Sequence, residues 1–388
     1  MQTSVLRFTF FHRLRTPPLM VIDVGAGAIR GLLFEEGQGA HLPKILHKNV
    51  RSTEPSITPA RLIQEVHTFL FEVTKELGYA PKKVIIGIGS DIAEFSLTLI
   101  RYAMPHPQRT INASELSGFF REQLDEHQDA SRFLLAYPLG VRANGYPISA
   151  SLLEKGDTRS VKELEFPTLF AWLGRETGEA FDQLRQMLGG MNIVCMTIPE
   201  AYRITGETVL DIRDGFYIDI GSETTLLTLV KEGALTAVSS FSYGTHKIAR
   251  AIADARTLSF SQAQDLLRHY MDGSLHEDAM RKVIEIIAQS VREWERNFLK
   301  ALEVCYHHGP FPAMAVLCGE GARLQEIRAL LMRGEWLRAL SYVSTPHLKV
   351  LEGRSVFGGD SLGGFLQGSE DARIGALMHA WRYEQSFN

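Results

Sequence analysis

Cysteine is scarce in this sequence: Cys195, Cys305 and Cys318 are far apart, odd in number and form no C-x-x-C pair. That excludes a disulfide-stapled scaffold and predicts free thiols in a reducing compartment. Cys305-Tyr306-His307-His308 sets sulfur beside imidazole, but no second ligand pair lies at a zinc-site spacing, so the cluster reads as a helix end. No apolar run approaches the ~20 residues that a membrane-spanning helix needs. The first fifteen residues break up their aromatics with Arg7, Arg13 and Arg15, leaving no signal-peptide core, so the chain is expected to be neither secreted nor transmembrane. Charge of either sign is not in excess. Lys and Arg number 41 against 45 Asp and Glu, a formal net charge of −4 that argues against a nucleic-acid partner. What is there is an ordinary globular composition, 45% hydrophobic and 22% charged over 388 residues, long enough for two or three domains with cores of their own.

The hydrophobic pattern opens with a buried strand over Leu19–Asp23, a Gly25-Ala26-Gly27 turn and a second strand over Ile29–Phe34. This is a β-hairpin, not the strand-to-helix step of a dinucleotide-binding fold. A strand at Ile45–Val50 follows. A helix is predicted over Pro59–Leu77, with Leu62, Val66, Phe69, Leu70 and Val73 at helical spacing, and then a strand at Lys83–Gly89. From about Ser90 to Phe166 the pattern changes to a strand (Glu94–Tyr102), a helix (Ala113–Asp125) and short strands near Phe133–Tyr137, which reads as a small inserted α+β domain. The first pattern resumes with a strand at Leu164–Trp172, a helix at Glu176–Leu188 and a strand at Asn192–Thr197. A second hairpin spans Gly215–Ser242. Helices follow at His246–Ala255, Ser261–Tyr270 and His276–Val304, then a strand at Ala313–Cys318, a helix at Ala322–Met332 and a last helix near Arg373–Tyr383.

Val21-Ile-Asp-Val-Gly25 and Tyr217-Ile-Asp-Ile-Gly221 both end a strand and open a hairpin, so two similar halves facing each other across a cleft are expected. A glycine-rich hairpin turn exposes successive backbone N–H groups that attract phosphate oxygens, and an aspartate just before it can hold magnesium through water. A third Gly-x-Gly, Gly319-Glu320-Gly321, lies where a strand meets a predicted helix, whose N-terminus would face the nucleotide.

Asp23-Val-Gly-Ala-Gly-Ala-Ile-Arg-Gly31 and Asp219-Ile-Gly-Ser-Glu-Thr-Thr225 resemble the two phosphate motifs of the actin-like ATPase superfamily, and Val316-Leu-Cys-Gly-Glu-Gly-Ala-Arg-Leu324 resembles its adenosine motif. Tyr243–Ala253, Ser261–Gln264 and Glu200–Ile204 are similar to stretches of the FtsA cell-division proteins and of their relatives, the PilM pilus-assembly proteins. The resemblance runs from about Met20 to Trp381. It implies a duplicated, two-lobed actin-like (ribonuclease H-like) α/β fold with an inserted 1C-like subdomain. The expected domains are a flexible leader (1–18), lobe I (19–89 and 167–212), the insert (90–166) and lobe II (213–388). It implies ATP and Mg2+ as ligands. Asp23, Gly25, Ala26, Gly27, Arg30, Asp219, Gly221, Ser222, Glu223, Thr224, Gly319, Glu320 and Gly321 would bind the nucleotide, Asp23 and Asp219 would hold the metal, and Glu200 would orient the attacking water. The first loop lacks the hydroxyl that relatives usually offer to a phosphate. Arg30 stands where they place a lysine, and Ala263-Gln264 with Leu267 replaces their ribose-holding Ala-Glu pair and lysine.

These departures point to slow hydrolysis at most. The function implied is a nucleotide-binding scaffold of the FtsA type at the inner face of the cell membrane. It would self-assemble into a filament or dimer and bind an FtsZ-like tubulin homologue. A PilM-like scaffold that binds pilus inner-membrane proteins is the alternative. A small-metabolite kinase lacks a convincing aspartate base, and an Hsp70-like chaperone would need a peptide-binding domain after the nucleotide domain. FtsA proteins commonly end in a membrane helix and this chain stops at Trp381–Asn388, so residues 1–18, with Phe8, Phe10, Phe11 and three arginines, are the candidates for weak lipid contact.

Overall fold

The computed structural model describes residues 18–37, 42–104, 132–148, 161–189, 191–334, 336–357 and 364–385, with parts of 115–123 and position 362. The leader and the helix expected over Ala113–Asp125 lie outside the described residues or only partly within them.

The first sheet is built from β1 (Leu19–Val24), β2 (Ala28–Glu35), β3 (Lys44–Ser52), β4 (Lys83–Ile88) and β10 (Asn192–Thr197). Its order is β10-β4-β1-β2-β3; β1 pairs antiparallel with β2 and parallel with β4. A second sheet repeats the plan with β11 (Gly215–Ile220), β12 (Thr225–Lys231), β13 (Ala234–Phe241), β14 (Met314–Cys318) and β15 (His347–Val350). Its order is β13-β12-β11-β14-β15, with β11 antiparallel to β12 and parallel to β14. The duplication expected from the two Asp-hydrophobic-Gly turns is therefore a duplication of strand order and direction, register included: Asp23 faces Arg30 and Asp219 faces Leu226 across their hairpins.

Helices cover both faces of both sheets. On the outer face of the first lie α1 (Pro59–Leu77) and α2 (Arg175–Met187). Thr58 caps α1 by accepting from the Arg61 N–H, Pro59 opens it, and Gly78 closes it at φ 76°, a left-handed conformation that glycine adopts without strain. Its buried face, Leu62, Ile63, Val66, Phe69, Leu70 and Val73, meets Met20, Ile22 and Val24 of β1. On the outer face of the second sheet lie α4 (Thr245–Arg256), α5 (Phe260–Met271), α6 (Glu277–Leu302) and α7 (Gln325–Arg333). Here Phe216, Ile218 and Ile220 of β11 pack with Trp294 and Phe298. Between the sheets run α3 (Ile198–Val209) and α8 (Ala372–Gln385), in one continuous core with Leu19 and Val21 of β1 and with Tyr217 of β11.

Side chains alternate across a strand, and this central layer uses the alternation. Met20, Ile22 and Val24 point outward from β1, which leaves Leu19, Val21 and Asp23 pointing inward; Phe216, Ile218 and Ile220 point outward from β11, which leaves Tyr217 and Asp219 inward. Both aspartates thus face the layer that α8 runs through.

The insert has its own sheet, β5 (Glu94–Ala103), β6 (Arg132–Pro138), β7 (Val141–Ala143), β8 (Tyr146–Ile148) and β9 (Glu163–Gly174). The strand expected to return the chain to the first lobe at Leu164–Trp172 instead belongs wholly to this sheet. All ten residues of β5 pair with it, Glu94 with Trp172 through Ala103 with Glu163, and β6 takes its other edge.

Candidate functional site

The three loops singled out in the sequence converge at one point. Both hairpin turns close the same way, Gly25 N–H donating to the Ala28 carbonyl at 3.2 Å and Gly221 N–H to the Thr224 carbonyl at 2.9 Å. The turns meet across the cleft so closely that a Cβ on Gly27 would lie 1.9 Å from Ser222 Oγ. Gly319, at φ 80°, lies against β11, where a Cβ would fall 2.4 Å from the Ile220 carbonyl oxygen and 2.5 Å from Asp219 Oδ1. The Gly319-Glu320-Gly321 segment departs from expectation, because it does not open a helix. Glu320–Arg323 is a single 3₁₀ turn, Leu324 is extended, and α7 begins only at Gln325.

At the centre is a side chain that the sequence reading missed. Arg373, the second residue of α8, is 5% exposed. Its Nε donates to Asp219 Oδ2 at 2.6 Å and its Nη1 to Asp91 Oδ2 at 3.0 Å. Three glycines make room for it, since a Cβ on Gly25, Gly89 or Gly221 would approach the guanidinium to between 3.3 and 3.9 Å. Asp219 is fully buried and accepts a further hydrogen bond at 2.9 Å from Tyr202 of α3, whose hydroxyl burial holds well above the usual phenol range. Asp91 also accepts from Thr224 at 2.9 Å, and Thr224 and Ser90 share a hydrogen bond at 2.8 Å, joining the end of β4 to the second hairpin.

Asp23 has no such partner. Arg30 is 3.9 Å away, Oδ2 makes no hydrogen bond among the described residues, and burial raises its pKa to about 6 against the attraction of Arg373 and Arg30, with Asp219 and Asp91 adding to the rise. An acid whose folded pKa exceeds its unfolded value favours folding at low pH. Its contribution is lost as pH rises from about 4 to about 6. Asp23→Asn is therefore expected to raise the melting temperature near pH 7 by the equivalent of about 2–3 kcal/mol and to change little near pH 4. Thermal melts of both proteins at the two pH values check this, and a loss of stability near pH 7 would show that the carboxylate is needed charged.

The remaining loop groups are engaged with protein. Ser222 and Thr245 both donate to Glu320, at 3.3 and 3.0 Å. Glu223 pairs with His246 at 3.0 Å and with Arg250; these outweigh its burial and hold its pKa at about 2. Arg250 also reaches Ser56 of the first lobe at 2.9 Å, and Gln264 bonds His246 at 2.8 Å. The first turn of α4 spends its N–H groups on the second hairpin, Thr245 on the Gly221 carbonyl and His246 on that of Ser222. Glu200 is not brought to this cluster. Its carboxylate is held from both oxygens by Arg203, at 2.6 and 2.9 Å, and Arg203 turns toward Glu207 and the Gly233 carbonyl.

A magnesium nucleotide does not fit this arrangement. The cavity between the loops is about 20 Å³, the room of about one water molecule. The place between the inward carboxylates is taken by a guanidinium, Glu320 lines the same cavity, and among the described residues no three His, Cys, Asp or Glu side chains come together in a way that holds a metal ion.

No protein-family profile and no curated protein sequence matches the chain. Solved structures do. A PilM-PilN type IV pilus biogenesis complex matches at 18% identity over 93% of this chain and 98% of that one, with a TM-score of 0.58. The ethanolamine utilization protein EutJ from Carboxydothermus hydrogenoformans matches at 12% identity over 94% and 91% of the two chains, with a TM-score of 0.48. MreB5 of Spiroplasma citri bound to ADP matches at 10% identity over 96% and 97%, with a TM-score of 0.47. The duplicated sheets, the hairpins at their centre and the likeness to PilM along nearly all of both chains give this protein the actin-like ATPase fold with a PilM-type resemblance.

Proposed function

We propose that the protein is an actin-like scaffold of the PilM kind, which holds a partner protein of an envelope machine and assigns no hydrolytic step to its cleft. The observation that carries this reading is that the phosphate cleft is filled by a side chain of the chain itself, while an open depression of about 640 Å³ lies beside it. That depression is walled by the insert (Glu94, Trp172), by the first lobe (Ile92, Arg175) and by the second (Phe241, Ser242), so an occupant would touch all three at once. Actin-like folds that turn over nucleotide need the cleft; one that docks a peptide or a membrane protein's tail needs only a stable surface. The solved PilM structure is a complex with PilN, which favours a pilus-type partner over the FtsZ-like one expected from the FtsA resemblance.

A place at the inner face of the cell membrane, through that partner, belongs to the same proposal; no described helix is long and apolar enough to cross a membrane. Self-assembly into a dimer or filament belongs to it too. A second reading keeps ATP and Mg2+ at the three converging loops. It needs Arg373 to withdraw and the two hairpins to separate. Co-purification of the full chain from its native cell tests the first reading. Recovery of pilus inner-membrane proteins supports it, and loss of that recovery in Trp172→Asp places the contact in the depression. Recovery of a tubulin-like protein instead supports the FtsA-type alternative.

A further inference from the structure

We infer that Arg373 is a built-in cation, standing in the cleft where the fold otherwise calls for a metal ion, and that it clamps the two lobes together with no nucleotide present.

The clamp is defined by what it joins. Asp91 follows β4 of the first sheet and Asp219 lies one residue before the end of β11 of the second, so one guanidinium bridges a carboxylate from each lobe, at 3.0 and 2.6 Å. A planar cation with several fixed donors suits that task better than an ammonium would. The residue is also held from behind. Asp371, two positions earlier, accepts from Lys48 of β3 on both oxygens at 2.7 Å and from the Gln367 N–H at 3.0 Å, and further along α8 Trp381 donates to Glu36 at 3.3 Å while Lys83 lies 4.4 Å over its ring. The helix that presents Arg373 is thus tied to the first sheet along its length, which fixes the Arg373 backbone over the cleft, while the two ion pairs hold the guanidinium.

Charge points the same way. Asp23 and Asp219, on the first strands of the two hairpins, and Asp91, after β4, are all buried, and Arg373 is the cation that meets two of them directly, with Arg30 3.9 Å from the third. Buried carboxylates without a cation are strongly unfavourable. A magnesium ion could neutralise them, but Arg373 already does. Binding of metal and nucleotide therefore has to displace a formed ion-pair network and pull apart the touching hairpins, so Arg373 acts as an intramolecular competitor for the site.

The experiment is a set of thermal melts on the full chain, stripped of nucleotide, with EDTA, with Mg2+ and with Mg2+ plus ATP. The wild type is expected to melt at one temperature in all three. Arg373→Met is expected to melt about 5–10 °C lower in EDTA. Mg2+, alone or with ATP, should recover at least half of that loss, because the carboxylates, no longer held apart by the guanidinium, can then close on a divalent ion. Arg373→Lys, which keeps the charge but not the two-pronged bridge, should fall between and respond less to Mg2+ than Arg373→Met. The inference is overturned if Mg2+-ATP raises the melting temperature of the wild type as much as that of Arg373→Met, or if Arg373→Met gains nothing from Mg2+. Should Arg373→Met not fold, the wild type alone decides: no response to EDTA or Mg2+-ATP upholds the clamp, and a clear response to either removes it. The inference rests on the proposed function's filled cleft; partner recovery is not read in these melts, so their failure would turn the cleft over to the ATP and Mg2+ reading while the depression as a docking surface is tested separately by co-purification.

Discussion

Asp219→Ala is expected to cost about 3–5 kcal/mol of stability, because it breaks a fully buried ion pair by removing one partner. The loss has two sources. Arg373 keeps only Asp91, so a buried guanidinium is left half paired, and the Tyr202 hydroxyl loses the carboxylate it donates to. A double-mutant cycle with Arg373→Met separates the pair from its surroundings. If the two groups act on each other, the double variant should be clearly more stable than the sum of the single losses implies. Chemical denaturation of the four proteins measures this, and strict additivity would mean that the 2.6 Å contact carries no coupling.

Gly319→Ala should be almost as damaging, by about 2–5 kcal/mol. A left-handed backbone costs a residue with a Cβ on the order of 1–2 kcal/mol, and overpacking adds about 1–3 more. The overpacking is against groups that cannot step aside: the Ile220 carbonyl belongs to β11, and Asp219 Oδ1 belongs to the clamp. The substitution should therefore lower the melting temperature and also loosen the ion-pair network, seen as faster hydrogen exchange at the ends of β11 and β14. An alanine variant as stable as the wild type would show that the third loop does not press on the second hairpin.

The frame of the molecule was legible because its signals are local. Two strands, a glycine turn and an aspartate shortly before the first glycine recur almost residue for residue at Val21–Gly25 and Tyr217–Gly221, and alternation alone places both aspartates on the inner faces. Helix α1 was found to the residue, with its proline start. What the sequence reading missed is the content of the cleft. Arg373 meets Asp219 at a separation of 154 residues and Asp91 at 282, and no window of sequence contains both ends of such a pair. One signal was available. Ile374, Gly375, Ala376, Leu377 and Met378 make α8 apolar on every side, so an arginine at its start, buried with them, had to find carboxylates inside the fold. Glu200 is the opposite case: an acid in the first turn of a helix is favoured by the helix dipole, and here it pairs with Arg203 three residues on. The third loop misled because the strand-to-helix step after Cys318 is interrupted by a 3₁₀ turn, which local propensity does not distinguish from a helix start.

Helix α8 also sets the order of events at the ribosome. The sheet made of β1, β2 and β4 needs that helix to cover its inner face and to supply the cation for Asp91, yet 282 residues separate Asp91 from Arg373. At about 5–20 residues per second, the early half of the chain waits on the order of tens of seconds for its missing layer. During that interval it exposes Leu19, Val21, Leu32 and Phe34, which α3 and α8 later bury. A nascent chain of this protein should engage cellular holdases until α8 has been made and can dock.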